Sequence, residues 1–260
     1  MATSSASSAL YGEQFFASHA GTSFVSAQLL LPVVFGLFPE ASPVRSVIDV
    51  GCGTGTWLRA ARELGASEVL GIDGGFVPLD QLEIRDDRFV AQDLRRGPDL
   101  DALPRRDFDL AMSLEVAEHL PDDAGDALVE ALCTLAPVVL FSAAVPMQGG
   151  TGHINERWQQ DWADRFADRG YRAIDAVRPR VWEDDRIAWW YRQNTIVYAS
   201  DKAIEMMPVL RDARGRTRDG MLSLVHPILL EKRNRKPLRP MSKVAVMRAW
   251  VRATTHRKGS

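Results

Sequence analysis

The sequence has few cysteines, no long apolar run and almost no net charge. Only Cys52 and Cys133 occur among 260 residues. That is too few for a disulfide framework and points to a reducing compartment. The longest apolar run, residues 29–38, is broken by Pro32 and Gly36 and falls short of the roughly 20 residues that span a bilayer. Residues 1–10 are rich in Ser and Ala and hold no Lys or Arg, so a secretory leader is not expected. These absences lead us to expect a soluble, cytoplasmic protein. What remains is ordinary globular composition, 46% hydrophobic and 25% charged. It excludes a disordered or collagen-like chain, and the length suffices for a real core.

The formal net charge of -2 conceals an asymmetry. Residues 232–260 carry 10 Lys and Arg and no acid, whereas the preceding residues carry 22 basic and 34 acidic side chains. Such a tail could contact phosphate or a membrane surface, or be a solvated helix that neutralises its own domain. The second reading is preferred. No aromatic interleaving suggests a nucleic-acid groove, so nucleic acid is not an expected partner. Within the tail Val244, Met247 and Val251 recur at helical spacing beside Trp250, consistent with an amphipathic helix.

The chain divides into an N-terminal helical segment or lid (1–44), a ligand-binding domain (45–200) and a basic helical extension (201–260). Residues 1–12 read as mobile. Ser23 could cap a helix reaching about Phe38, stopped by Pro39 and Pro43. Apolar runs at 46–50, 68–72, 88–91, 108–113, 137–144, 171–177 and 195–199 read as strands. Between them, residues 56–64, 122–135 and 157–168 read as helices. Strands alternating with helices argue for an α/β fold, a mostly parallel sheet with helices on both faces. Right-handed crossovers then gather the strand C-termini on one rim, where such sheets bind ligands. The segments that follow the strands are 49–55, Asp73, Asp93, 115–119 and 149–156, and they hold the polar and glycine-rich residues.

The turn Asp49-Val-Gly51-Cys52-Gly53-Thr-Gly55-Thr56 has glycines at alternate positions. They permit a tight turn and let a ligand lie against bare main chain. The spacing departs from the dinucleotide fingerprint, and no Gly-Lys-Ser/Thr ending follows, so NAD and ATP are both disfavoured. Asp73, 22 residues after Gly51, can accept both hydroxyls of a ribose. Asp93 can accept from an exocyclic adenine amine. Together they describe a nucleoside slot without a phosphate site.

The segments 47–55 (VIDVGCGTG), 69–73 (VLGID), Asp93 and 108–120 (FDLAMSLEVAEHL) resemble the successive motifs of class I S-adenosylmethionine-dependent methyltransferases. The resemblance spans roughly residues 46–200. It implies a Rossmann-like, seven-stranded sheet whose last strand is antiparallel, and S-adenosyl-L-methionine as cofactor. It further implies that Asp49, Gly51, Cys52, Gly53 and Gly55 face the methionine portion, with Leu114 and Glu115 nearby. Asp73 and Gly74 would meet the ribose, and Asp93 and Leu94 the adenine end. Phe76 would either lie against the adenine ring or pack in the core.

Methyl transfer is an in-line displacement, so the protein chiefly aligns the nucleophile, and a hydroxyl nucleophile also needs a base. Candidate catalytic residues are Glu115, His119 and His153. Glu118 reads more readily as a carboxylate at a helix N-terminus. The glycine-rich stretch 145–156 reads as a lid carrying His153, Asn155 and Glu156. Trp158, Trp190, Tyr191 and Asn194 complete the candidate acceptor-binding set, whereas Trp189 reads as core. The spacing of His and acidic residues fits no metal site, so none is expected. The stretch 152–194 is similar to bacterial methyltransferases of polysaccharide or specialised-metabolite pathways, which implies a small-molecule or glycosyl acceptor. Two rival readings keep the cofactor: alkyl-chain transfer or cyclisation from the same sulfonium, and a non-catalytic binding protein.

Overall fold

The computed structural model describes residues 13–234, and residues 13–20 only as backbone. Two compact units divide at Val225–His226. The basic tail beyond residue 234 and residues 1–12, including the expected amphipathic helix and mobile start, lie outside the described residues. No helix among the described residues is long and apolar enough to cross a membrane.

The first helix, α1, runs Glu13–Phe35. Ser23 therefore lies inside it rather than capping it, and the helix stops three residues short of Phe38. Buried Ala27, Leu30, Leu31 and Val34 recur at helical spacing and form its inward stripe. Then follow β1 (Ser46–Val50), α2 (Thr56–Glu63), β2 (Glu68–Asp73), β3 (Phe89–Ala91), β4 (Leu110–Leu114), α3 (Asp122–Leu135) and β5 (Val138–Ser142). The unit continues with α4 (Gln159–Ala167), β6 (Tyr171–Ile174), α5 (Arg178–Val181), α6 (Trp189–Asn194), β7 (Ile196–Ser200), α7 (Asp201–Met206) and α8 (Pro208–Arg216). Two of these, α5 and α6, escape the sequence reading.

One seven-stranded sheet has the order β3-β2-β1-β4-β5-β7-β6. β7 pairs antiparallel with both β5 and β6, and the other pairings are parallel. This is the expected architecture. Strands β1, β4 and β5 are buried along their whole length, as a sheet covered on both faces requires. One apolar core joins α1, α2 and α6 to one face, and another packs α3 and α4 on the other. Within the second, Phe141, Phe166 and Tyr198 form an aromatic cluster, with Phe166 stacked on Tyr198 at 3.9 Å.

Residues 201–225, assigned by sequence to the extension, are built into the first unit. Asp175 N–H donates to Thr217 Oγ1 at 3.0 Å, and buried Arg178 reaches the Leu222 carbonyl at 2.7 Å. In the second unit α9 spans Pro227–Asn234, and His226 Nδ1 accepts the Ile228 N–H at 3.3 Å.

The chain leaves β1 toward β2 and β3 on one side, and continues from β4 toward β5 on the other. Strand order reverses between β1 and β4, which opens a crevice at their C-terminal ends.

Candidate active site at the strand switch point

The turn after β1 is held by two amides, Gly51 and Cys52, which donate to the Ile72 carbonyl at 2.7 and 3.1 Å. Gly51 and Gly55 both have φ +87, a left-handed conformation that L side chains avoid. At Gly51 a Cβ would also overlap the Val116 side chain. Gly55 caps α2, whose first turn holds no acidic residue of its own; Glu83 accepts from Thr56 Oγ1 there at 2.6 Å, a carboxylate at the helix N-terminus.

Asp73, the last residue of β2, bridges this turn to the next. Its Oδ2 accepts from Gly53 N–H and its Oδ1 from Gly74 N–H, both at 2.6 Å. Burial raises its pKa, with the two amides opposing. Asp49 lies within β1 opposite Gly71 of β2 and Met112 of β4. It is 2% exposed, and its Oδ1 has no hydrogen-bond partner. Burial, then the Asp73 charge, push its pKa up to about 8. A buried carboxylate oxygen without a donor costs stability and fits a site that takes a cationic group. Cys52 is buried at the same turn, its thiol pKa raised by burial.

Beyond Asp73, Phe76 folds back so closely that a Cβ at Gly74 would overlap its ring, so only glycine allows that approach. Leu94 is buried. Asp93 differs from the expectation in its surroundings: its side chain is 52% exposed and both oxygens pair with Arg95, at 2.9 and 2.8 Å. The guanidinium holds its carboxyl below the usual range.

The opposite wall follows β4 and β5. Glu115 has φ +56, a strained conformation for a side-chain-bearing residue. It is overdetermined by its surroundings: its N–H donates to the Ser142 carbonyl at 2.9 Å, Asn194 Nδ2 donates to Oε1 at 3.0 Å and Gln148 Nε2 to Oε2 at 3.2 Å. Burial raises its pKa, chiefly against the Asn194 hydrogen bond. Gln193 and Asn194, at the end of α6, both donate to Gln148 Oε1 at 3.0 Å. Gln148 and Gln193 were not singled out by sequence, and the only pointer to Gln148 was its place in the glycine-rich loop.

That loop is gathered by one carboxylate. Glu156 accepts from Met147 N–H at 2.8 Å and Gly149 N–H at 2.6 Å, and lies 3.0 Å from His153 Nδ1. His153 packs where a Cβ at Gly150 would overlap its ring. The His119 and His153 rings meet edge to face at 4.8 Å. Burial, then His153, lower the His119 pKa to about 4, which keeps it neutral near pH 7. Glu118 is fully buried, and burial, then the Glu115 charge, raise its pKa. It lies in the first turn of a short 3-10 helix, Ala117–His119, ahead of α3, so it is a helix-start carboxylate as read from sequence, but one enclosed by the fold.

Three expected acceptor contacts are used within the fold instead. Asn155 is buried, its amide 3.4 Å from the Ala117 carbonyl and its oxygen accepting from Arg157 at 2.8 Å. Tyr191 is buried in the α1–α2–α6 core, edge-on to Trp57 at 5.0 Å, with its hydroxyl 3.4 Å from Ser23 Oγ. Trp190 packs against that core, tilted on Tyr191 at 5.9 Å. Trp158 is 40% exposed at the start of α4. Leu114, the last residue of β4, is buried next to Glu115. The structure thus brings Asp49, Gly51, Gly53, Gly55 and Asp73 together, and separately Glu115, Gln148, His153, Glu156 and Asn194.

Comparison with known proteins bears on the family and the fold. A family model described as a methyltransferase domain matches residues 25–194. No curated protein matches the sequence. Among solved structures, magnesium protoporphyrin IX methyltransferase (ChlM) from Synechocystis PCC 6803, with bound SAH, superposes with a TM-score of 0.50 at 17% identity, covering 76% of this chain and 95% of that one. CalS10, an amino pentose methyltransferase from Micromonospora echinaspora involved in calicheamicin biosynthesis and solved with SAM, gives a TM-score of 0.50 at 17% identity over 73% and 98%. At that identity the likeness is one of fold. The family match covers well over half of the chain, and with it the chain belongs to the methyltransferase-domain family, as a class I S-adenosylmethionine-dependent methyltransferase.

Proposed function

We propose that this methyltransferase acts on a hydroxyl or amine of a small metabolite or sugar. The observation that carries the reading is the composition of the crevice's second wall. Glu115, His119 and His153 are each partly buried there, and the nearby arginines are engaged within the fold, Arg157 with Asn155 and Asp122 and Arg192 with the Trp182 carbonyl. A small neutral acceptor suits such a wall better than a polyanion.

The first wall fits the cofactor. The unpartnered Asp49 Oδ1 suits the ammonium of the methionine portion, and the bare turn at Gly51–Gly55 admits its chain. Each Asp73 oxygen, already holding one amide, keeps a lone pair for a ribose hydroxyl. Phe76 and Leu94, with Asp93 beside its Arg95 partner, would flank the adenine. When bound, the cofactor supplies an electrophilic methyl group on a sulfonium. The chain's own residues do the rest: they exclude water, orient the acceptor and take its proton as the new bond to carbon forms. Glu115, with its raised pKa, and His153, backed by Glu156, are the acceptors for that proton.

The test is incubation of the purified protein with methyl-labelled S-adenosylmethionine and pools of hydroxylated or aminated small molecules. Label appearing in one acceptor, with S-adenosylhomocysteine formed in equal amount, supports the reading. Methylthioadenosine as by-product, or transfer only to nucleic acid or protein, refutes it.

A further inference from the structure

Glu118, His119 and His153 are brought together although 34 residues separate the two histidines. One potential ligand atom from each lies within 4.8 Å of the others. From sequence no metal was expected, because the spacing matches no ligand motif; only the approach of the β5 loop to the end of β4 creates the cluster. We propose that these three residues form a binding site for a divalent first-row transition metal at the acceptor side of the crevice.

Three independent features support it. First, Glu118 is 0% exposed and neither of its carboxylate oxygens has a well-formed hydrogen bond, although the Ala144 amide and the Glu115 carboxyl face it. A wholly buried carboxylate persists when it is paired or coordinates a cation. Second, the loop is fastened so that it delivers His153. Ile154 and Asn155 N–H donate to the Glu118 carbonyl at 2.8 and 3.1 Å, tying the histidine's neighbours to the very residue it would share a metal with. Third, Glu156 sits on His153 Nδ1 at 3.0 Å; ligation would then fall to Nε2, which in this structure packs against Gly150. A carboxylate behind a ligating histidine fixes its tautomer and ring direction and raises its basicity. Two imidazoles and one carboxylate form a set suited to Zn, Fe, Co or Mn, with positions left open for substrate or water. Ligand atoms around a tetrahedral ion of that size stand about 3.3 Å apart, so small side-chain rotations close the site.

The functional consequence rests on the methyltransferase reading above. An ion held there would acidify a hydroxyl oxygen placed at an open position; with His153 engaged as a ligand, Glu115, next to the cluster, would be left to receive the proton. The site would thus select an oxygen-bearing acceptor over an amine.

The test uses the full-length protein stripped with chelator, then titrated with Co2+ and Zn2+. We expect one Co2+ per chain with visible d–d absorption, and competition by Zn2+. Glu118→Gln and His153→Ala should each weaken uptake at least 100-fold. Glu156→Gln should weaken it by about 10–100-fold, as an outer-shell partner does. Calorimetric binding of S-adenosylhomocysteine by each variant confirms that it is folded. Variants that bind the nucleoside yet take up Co2+ as well as the parent, or a parent that binds the nucleoside but no Co2+ at micromolar concentration, overturn the metal site and leave the methyltransferase reading intact. Failure of nucleoside binding in the parent would count against the cofactor cradle alone.

Discussion

Asp73 and Gly53 meet at 2.6 Å, the carboxylate Oδ2 accepting the backbone N–H. The contact couples the end of β2 to the turn after β1, so one side chain both shapes the turn and remains an acceptor. Replacing Asp73 by Asn keeps the volume but removes one charge-assisted acceptor and misaligns the other. We predict a loss of at least about 100-fold in S-adenosylhomocysteine affinity by calorimetry. Affinity within a few-fold of the parent would refute this placement.

Gly51→Ala tests the turn itself. The left-handed φ costs about 1–2 kcal/mol for a side-chain-bearing residue, and the overlap with Val116 adds about 1–3 kcal/mol. Denaturant melts should therefore show a stability loss of about 2–5 kcal/mol. A second change, Val116→Ala, relieves the overlap and leaves the conformational cost, so it should restore part of the loss and not all.

Asp49 makes stability depend on pH. Its folded pKa of about 8 exceeds the unfolded value of about 3.9, so the folded chain holds a proton that the unfolded chain releases. The stabilisation is complete below pH 4, falls as pH rises, and is gone above about pH 8. Asp73, with its pKa raised as well, contributes in the same direction. Asp49→Asn should flatten the decline between pH 5 and 8. At pH 8 it should raise the melting temperature by several degrees, at about 2–4 °C per kcal/mol. It should also weaken S-adenosylhomocysteine binding by more than tenfold, because the ammonium loses its carboxylate. An unchanged pH profile by thermal melting would remove Asp49 from this role.

The Asn194 hydrogen bond to Glu115 lowers a carboxyl pKa that burial raises. Asn194→Ala should move the acidic limb of the turnover–pH profile to higher pH and reduce turnover at neutral pH by about tenfold. Cofactor affinity should be nearly unchanged. A profile identical to the parent would mean that Glu115 does not take the acceptor's proton.

Much of this arrangement is readable from the chain because it depends on local chemistry. Alternate glycines between a strand and a helix, and an Asp at the next strand's end, require no distant information. The central strands β1, β4 and β5 stand out because strands buried on both faces are continuous apolar runs. What failed depends on partners far away in sequence. Ser23 looks like a cap, but the helix extends ten residues upstream of it, where the sequence shows no apolar period. Helix α6 is short and rich in Trp, Tyr and Arg, and its start is fixed by Ser26 accepting the Ala188 N–H at 3.1 Å. Tyr191 beside Gln and Asn resembles a pocket rim, yet Ser23 and Trp57 enclose it. Asn155 and Glu156 look equivalent in the loop. Only the fold separates them, one anchoring to Ala117 and Arg157, the other fastening His153.

The reversal of strand order between β1 and β4 divides labour across the crevice. In the proposed arrangement, residues at the ends of β1 and β2 hold the nucleoside, and the opposite wall is assembled from the ends of β4, β5 and α6. The two halves meet along the β1–β4 pairing, at Ser113 Oγ donating to the Val50 carbonyl at 2.8 Å, and at Val116 against Gly51. Changes in the loop carrying His153 can therefore alter which molecule is modified without disturbing the reagent that modifies it. A scaffold divided in this way can acquire new specificities one wall at a time.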